Sequence, residues 1–312
     1  MCDYVPWKNI EQIDDVTFRA PAISTTEDPR VYLGNLLAKA AFCAHRTVDS
    51  GFDLNSLHSY FVKSLNTKLP LKIIVEKTRS GRNFSFRSAQ IIQKDKNFQN
   101  EEVHYHFEFT FKKRTGKGSL KFTQVNVPVV PQPERLRTFE QVLEDLPRLR
   151  FNKIQAVVPV FPEIFKNYEI IPCNGVEFVA GPQREALKQH FWFRFKGNLA
   201  ERSSFIDQLI LAYISDIGLT YSKTNGNIDT YRLLGSLDHS GWIHDIKFNT
   251  NDFLLWEGEC TMHSLGRAVT HNRIWTRGGE LIASFTQEAI TEGVKPLNIK
   301  EAARAAENRP KI

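Results

Sequence analysis

The chain has 312 residues, of which 41% are hydrophobic and 12% aromatic, and a net charge of +6 at pH 7. This is long for one domain and comfortable for two, with the composition of a globular protein able to bury a core. No segment approaches the roughly 18 uncharged apolar residues of a membrane span, and the mild positive charge suits an anionic ligand as well as nucleic acid, so alone it decides nothing.

The four cysteines, Cys2, Cys43, Cys173 and Cys260, are scattered with no Cys-x-x-Cys pair. Reduced, mostly buried thiols in an intracellular protein are expected, rather than a disulfide scaffold or a zinc site. The start of the chain, Met1 to Trp7, has no basic-then-apolar signal peptide. The last three residues, Pro310-Lys311-Ile312, are similar to a Ser-Lys-Leu peroxisomal address, which would be read by a peroxisomal import receptor.

In chain order, residues 16–20 alternate and read as a first strand, and residues 25–29 form a break with helix-start chemistry. A mostly apolar helix follows over 31–48, rich in small residues in its second half, with Asn35, Lys39 and His45 expected near one end or an edge. Strands are expected at 57–62, 71–77 and 84–92, the last two joined by the turn residues Ser80-Gly81-Arg82-Asn83. Residues 103–111 alternate strictly, apolar at odd numbers and polar at even ones, which predicts a strand with His104 and His106 on a solvated face. The basic run 112–119 lacks the spacing of a P-loop and reads as a solvated turn. Residues 123–157 are proline-rich and charged, a linker with a short helix at 138–146.

The second half repeats the first in outline. A strand at 191–196 precedes a helix at 203–216 that is apolar on nearly every side, so it must be wrapped by other elements. A polar loop at 222–230 leads to extended segments at 236–247, 253–261, 267–277 and 281–290, with Gly278-Gly279 as a hairpin turn. Ser56-Leu57-His58-Ser59 recurs as Ser236-Leu237-Asp238-His239-Ser240. A strand, a long buried helix and an antiparallel meander, given twice, make an internal duplication of α+β class. The expected units are 1–122 and 158–298, joined by 123–157 and followed by a tail at 299–312. No G-x-S-x-G elbow, G-x-G-x-x-G loop or H-E-x-x-H pair is present. Asp238 and His239, adjacent on a strand, point to opposite faces and do not form a dyad.

The runs Leu211-Ala212-Tyr213-Ile214-Ser215-Asp216, Ser236 to His244 and Ser284-Phe285-Thr286-Gln287-Glu288, with Ser56 to Phe61 and Ser80 to Phe84, resemble those of the type II acyl-CoA thioesterases. The resemblance covers roughly 16–95 and 191–290. It implies a double hotdog fold, two tandem units each with a long helix wrapped by an antiparallel sheet. It also implies that Asp216, Ser236 and Gln287 hold an attacking water. The family's glycine-glycine-glutamine at the start of the first helix stands here as Leu33-Gly34-Asn35, and Ala289 replaces a usual glycine.

The expected activity is hydrolysis of acyl-CoA to free acid and CoA, with no metal and no cofactor. The partners are the acyl-CoA substrate and further copies of the chain in a homo-oligomer, and no nucleic acid is expected. The alternative is a non-catalytic acyl-CoA-binding or scaffolding protein on the same fold. The residue types fit the reaction. The thiolate of CoA is a mild base near the free-cysteine value of about 8.5, so little acid assistance is needed. What remains is to deprotonate and aim a water. Asp216, at a helix C-terminus and buried, is a candidate base, because both surroundings disfavour its charged form. Ser236 and Gln287 supply orienting hydrogen bonds.

Overall fold

A computed structural model describes residues 5–23, 31–94, 100–114, 122–145, 167–175, 178, 188–197, 199, 202–217, 231–245 and 247–293. The turn at 25–29, the loop at 222–230, most of the basic run at 112–119, part of the linker and the tail with Pro310-Lys311-Ile312 lie outside the described residues.

The first unit comprises β1 (Glu11–Gln12), β2 (Thr17–Ala20), α1 (Leu33–His45), β3 (Phe52–Phe61), β4 (Leu71–Ser80), β5 (Phe84–Lys94) and β6 (Glu101–Lys113). A 3-10 turn at Pro133–Arg135 and α2 (Phe139–Asp145) follow. The second unit comprises β7 (Tyr168–Pro172), β8 (Lys188–Phe195), α3 (Ser204–Ile214), β9 (Tyr231–Ser236), β10 (Asp238–Ile243), β11 (Leu254–Ser264), β12 (Arg267–Thr276) and β13 (Leu281–Gly293). Strands β1, β7 and β9 are additions to what the sequence pattern predicts, and β3 begins five residues before the expected strand.

All strands belong to one antiparallel sheet in the order β1-β2-β4-β5-β6-β3-β10-β13-β12-β11-β8-β7, with β9 pairing to β13. The order is mirrored about the β3–β10 pair, where Ser56 to Tyr60 lie against Trp242 to Asp238. The two Ser-Leu-containing repeats therefore form the seam between the units. Each unit curls its sheet around one helix, which is the double hotdog architecture expected from the sequence.

The inner face of β6 carries Tyr105, Phe107, Phe109 and Phe111, whose rings follow one another at 6.0–6.4 Å. They pack in one core with Leu36, Ala40 and Ala44 of α1, whose small side chains let helix and sheet approach closely. In the second unit Phe191, Phe193, Trp256, Ile274 and Phe285 share that core with Leu209, Leu211 and Ile214. On the outer face, Trp192, Leu255 and Trp275 form a separate cluster covered by Val130 and Leu136. The Trp192 indole donates to the Pro131 carbonyl at 2.9 Å, so the proline-rich stretch there is bound to the second unit.

Helices α1 and α3 lie side by side and antiparallel. At one end the His45 ring stacks on Phe205 at 3.6 Å. That end is closed by polar contacts: the Gln208 amide accepts from Leu54 N at 2.8 Å and donates to Leu54 O at 3.1 Å, and Ser204 Oγ donates to Asp53 at 2.7 Å. Beside it the buried Arg87 guanidinium donates to Thr47 Oγ1, Thr47 O, Ser80 Oγ, Arg79 O and Phe86 O at 2.7–2.9 Å.

Candidate active site

At its other end α3 runs out of helix at Ile214, and Ser215 and Asp216 follow in the turn. The N-terminus of α1 meets this turn head-on. Tyr32 donates its hydroxyl to the Tyr213 carbonyl at 2.6 Å, satisfying one of the carbonyls that a helix end leaves open. Gly34 makes the approach feasible, because a Cβ there would stand 1.9 Å from the Tyr213 carbonyl oxygen. The first-unit sequence Leu33-Gly34-Asn35 thus retains the one glycine that this crossing requires.

Asp216 is 6% exposed. Its Oδ2 accepts from Leu33 N at 3.2 Å and its Oδ1 from Gln287 Nε2 at 2.9 Å. The same Gln287 nitrogen donates to Ser236 Oγ at 2.7 Å. Gln287 lies on the inner face of β13 opposite Thr270, and Ser236 ends β9 opposite Ala289. Three residues from separate elements, 71 positions apart at most, therefore meet at one buried amide. The sequence places Asp216 at the negative end of one helix dipole. The structure adds the positive end of another, since α1 offers its first N–H to the carboxylate.

Two phenols register the charge of that carboxylate. Burial and then Asp216 hold the Tyr32 hydroxyl well above its ordinary pKa, and the same two causes push Tyr105 up to about 12. Both remain protonated at neutral pH.

The neighbours divide as strand geometry requires. His239 is fully buried and its Nε2 lies 2.9 Å from Ser215 Oγ, which donates to the Ala212 carbonyl at 2.7 Å. Asp238 accepts from Glu288 N at 3.0 Å on the other side of the strand, so the two do not form a dyad.

Other expectations are corrected. His106 is half exposed and bonded to Glu108 at 2.9 Å, but His104 is buried, its Nδ1 2.7 Å from Ser64 O. The β5–β6 register shifts at Ile91/Ile92, beside the start of the alternating run, so the pattern does not carry His104 to the solvated face. Asn35 lies near one end, in the first turn of α1, but Lys39 sits mid-helix, and both are buried, at 5% and 4% exposed, with Lys39 Nζ donating to Asn35 Oδ1. Burial lowers the Lys39 pKa to about 8. Among the described residues no group of three or more His, Cys, Asp or Glu is placed to hold a metal, and no helix is long and apolar enough to cross a membrane.

Sequence reasoning missed the contribution of Leu33, because a backbone N–H leaves no side-chain signature. The visible trace is a glycine among bulky apolar residues at a helix start.

Comparison with known proteins agrees with this fold. Residues 22–110 match the model of the acyl-CoA thioesterase N-terminal domain, and residues 133–291 match that of the acyl-CoA thioesterase C-terminal domain. Human acyl-coenzyme A thioesterase 8 is 29% identical over 300 residues, covering 92% of this chain and 88% of that protein. Acyl-CoA thioesterase 2 of Haemophilus influenzae is 26% identical over 285 residues, covering 90% and 94%. The crystal structure of an acyl-CoA thioesterase II from Mycobacterium marinum superposes with a TM-score of 0.71 at 24% identity, covering 92% of this chain and 97% of its own. With both of its domains matched in order, the chain belongs to the acyl-CoA thioesterase family.

Proposed function

We propose that the protein hydrolyses acyl-CoA thioesters by direct attack of a water held by Asp216, Ser236 and Gln287. The observation that carries this reading is the Gln287 amide, which bonds Asp216 and Ser236 together at 2.9 and 2.7 Å. With Nε2 so engaged, Gln287 Oε1 is buried and unpaired among the described residues. It is the acceptor for one hydrogen of the water, while Asp216 takes the other as the water oxygen bonds to the thioester carbon. Ser236 Oγ, already accepting from Gln287, is left to donate. The carbon–sulfur bond then breaks and the CoA thiolate leaves as a mild base, recovering the proton from the Asp216 carboxyl. The N-terminus of α1 supplies the positive potential into which negative charge on the carbonyl oxygen develops.

The test is Asp216→Asn, which keeps the volume and removes the base. Turnover of acyl-CoA, followed by thiol release, should fall about 10²–10⁴-fold while the melting temperature holds. A stable, fully active variant would refute the assignment. A wild-type protein that binds CoA esters without releasing thiol would mark the chain as a binding or scaffolding protein instead.

We also propose peroxisomal delivery by an import receptor, resting on Pro310-Lys311-Ile312 alone, and assembly into a homo-oligomer, resting on the family resemblance. Identical diffuse signal from fluorescent fusions with and without the three residues would refute the first. A monomeric mass in solution would refute the second.

A further inference from the structure

The inner face of the second unit holds a second group of polar side chains that this reaction does not use. Pairing of β8, β11 and β12 sets Gln189, Gly258 and Asn272 in one row across the sheet, and Trp256 lies two residues along β11 on the same face. Asn272 is 1% exposed and Trp256 is fully buried. Gln189 Oε1, Trp256 Nε1 and both amide atoms of Asn272 are buried with no hydrogen-bond partner among the described residues. Buried donors and acceptors are rarely left unpaired, so four such atoms on adjoining positions of one face call for a polar partner.

Their surroundings favour a ligand with a long apolar part. Glycine at 258 puts no side chain between Gln189 and Asn272. The Phe191 ring stacks on Trp256 at 5.5 Å, and Ile274 and Phe285 flank Asn272. Asn272 is the diagonal neighbour of Gln287, since Thr270 faces Gln287 and Asn272 faces Phe285. That spacing is roughly 7 Å, and Gln189 lies two strands beyond Asn272, roughly 10 Å further.

We infer that this face binds an acyl group carrying a hydroxyl about five to eight carbons from the thioester, the chain length that spans from Gln287 past Asn272. A hydroxyl donates and accepts, which matches an amide that can do both, an indole donor and a second amide acceptor. The inference rests on the acyl-CoA reading above for the rest of the substrate. It makes Asn272 a specificity residue, with Trp256 and Gln189 beside it.

Binding of CoA thioethers, which cannot be hydrolysed, tests it by calorimetry. The probes are a saturated dodecyl thioether and dodecyl thioethers hydroxylated near the fourth, sixth, eighth or tenth carbon. The wild-type protein should bind the sixth- or eighth-carbon probe about 10-fold more tightly than the saturated one. In Asn272→Leu the preference should vanish or invert, and the melting temperature should not fall, because an unpaired buried amide has been removed. Asn272→Ala makes the same test where leucine does not fit. Equal affinity of the wild type for all probes would mean that ordered water satisfies these groups, and would overturn the inference. A hydroxyl preference that survives both variants, or failure of every probe to bind, would also overturn it. Failure to hydrolyse dodecanoyl-CoA, with the binding preference intact, would count against the proposed reaction and leave this inference standing.

Discussion

The crossing of α1 and α3 makes Gly34→Ala an informative single change. The added methyl would stand 1.9 Å from the Tyr213 carbonyl oxygen, 2.8 Å from its carbon and 2.7 Å from the Tyr32 ring. Two of these atoms are backbone, so no rotamer change relieves the clash, and the helices must separate by more than an ångström. Overpacking of this kind costs about 1–3 kcal/mol or more. The better helix propensity of alanine returns about 1 kcal/mol, and because the clash is with backbone the upper end of the cost applies, so a net loss of about 2 kcal/mol is expected. The Leu33 N–H is already 3.2 Å from Asp216 and would pass beyond bonding distance. A hydrogen bond to a charged group contributes about 1.5–3 kcal/mol, so kcat should fall about 10–100-fold in the protein that remains folded. Gly278→Ala is the control, since its Cβ would meet only Thr276 Oγ1 at an ordinary 3.7 Å. Denaturant melts beside thiol-release kinetics give both numbers. If Gly34→Ala matches the control in stability and rate, the helix contact does not hold the site together.

Two further outcomes follow from the same geometry. Ser236→Ala and Gln287→Ala should each cost about 10–10³-fold in kcat, and because the proposed reaction has all three side chains act on one water, the triple variant with Asp216→Asn should be barely slower than Asp216→Asn alone; additive losses would refute a shared role. Lys39 is neutral-favouring in the fold, its pKa lowered by burial from 10.5 to about 8. Below about pH 8 it is protonated in both states and the burial penalty is constant, while between about 8 and 10.5 the unfolded chain holds a proton that the folded protein has released, so stability rises with pH there. Lys39→Met should therefore be more stable than the wild type by about 2–3 kcal/mol at neutral pH, the gap closing as the pH rises through that window; a pH-independent gap in denaturation experiments would refute it.

Much of the architecture was legible because periodicity reports burial directly. The block from Phe205 to Ile214 has no polar face, and it is the wrapped helix of the second unit. Strands β1, β7 and β9 escaped for physical reasons, β1 because two residues show no period. Tyr168–Pro172 is short and ends in proline, and in Tyr231–Ser236 an arginine and a glycine break any two-residue alternation. Lys39 was misplaced because polarity argues for an edge, whereas in the fold it is buried mid-helix with its Nζ bonded to Asn35 Oδ1. Ser236 and Gln287 were legible only jointly with Asp216, since each alone reads as an ordinary strand residue.

The closed end of the helix pair has a mechanical consequence. An antiparallel helix pair has two like ends, and here one is tied by Gln208 to the backbone of Leu54, while Arg87 fixes the turn after α1 through five bonds within the first unit. A pair of rods clamped at one end behaves as a tuning fork: its tips, joined here by the Tyr32–Tyr213 and Leu33–Asp216 bonds, can part only by breaking these and bending against the clamp. The gap between Leu33 and Asp216 is thus set partly about two to three helical turns away, at Gln208 and at the stack of His45 on Phe205. On the proposed reaction, the end that carries Gln208 serves as the handle for the end that carries Asp216.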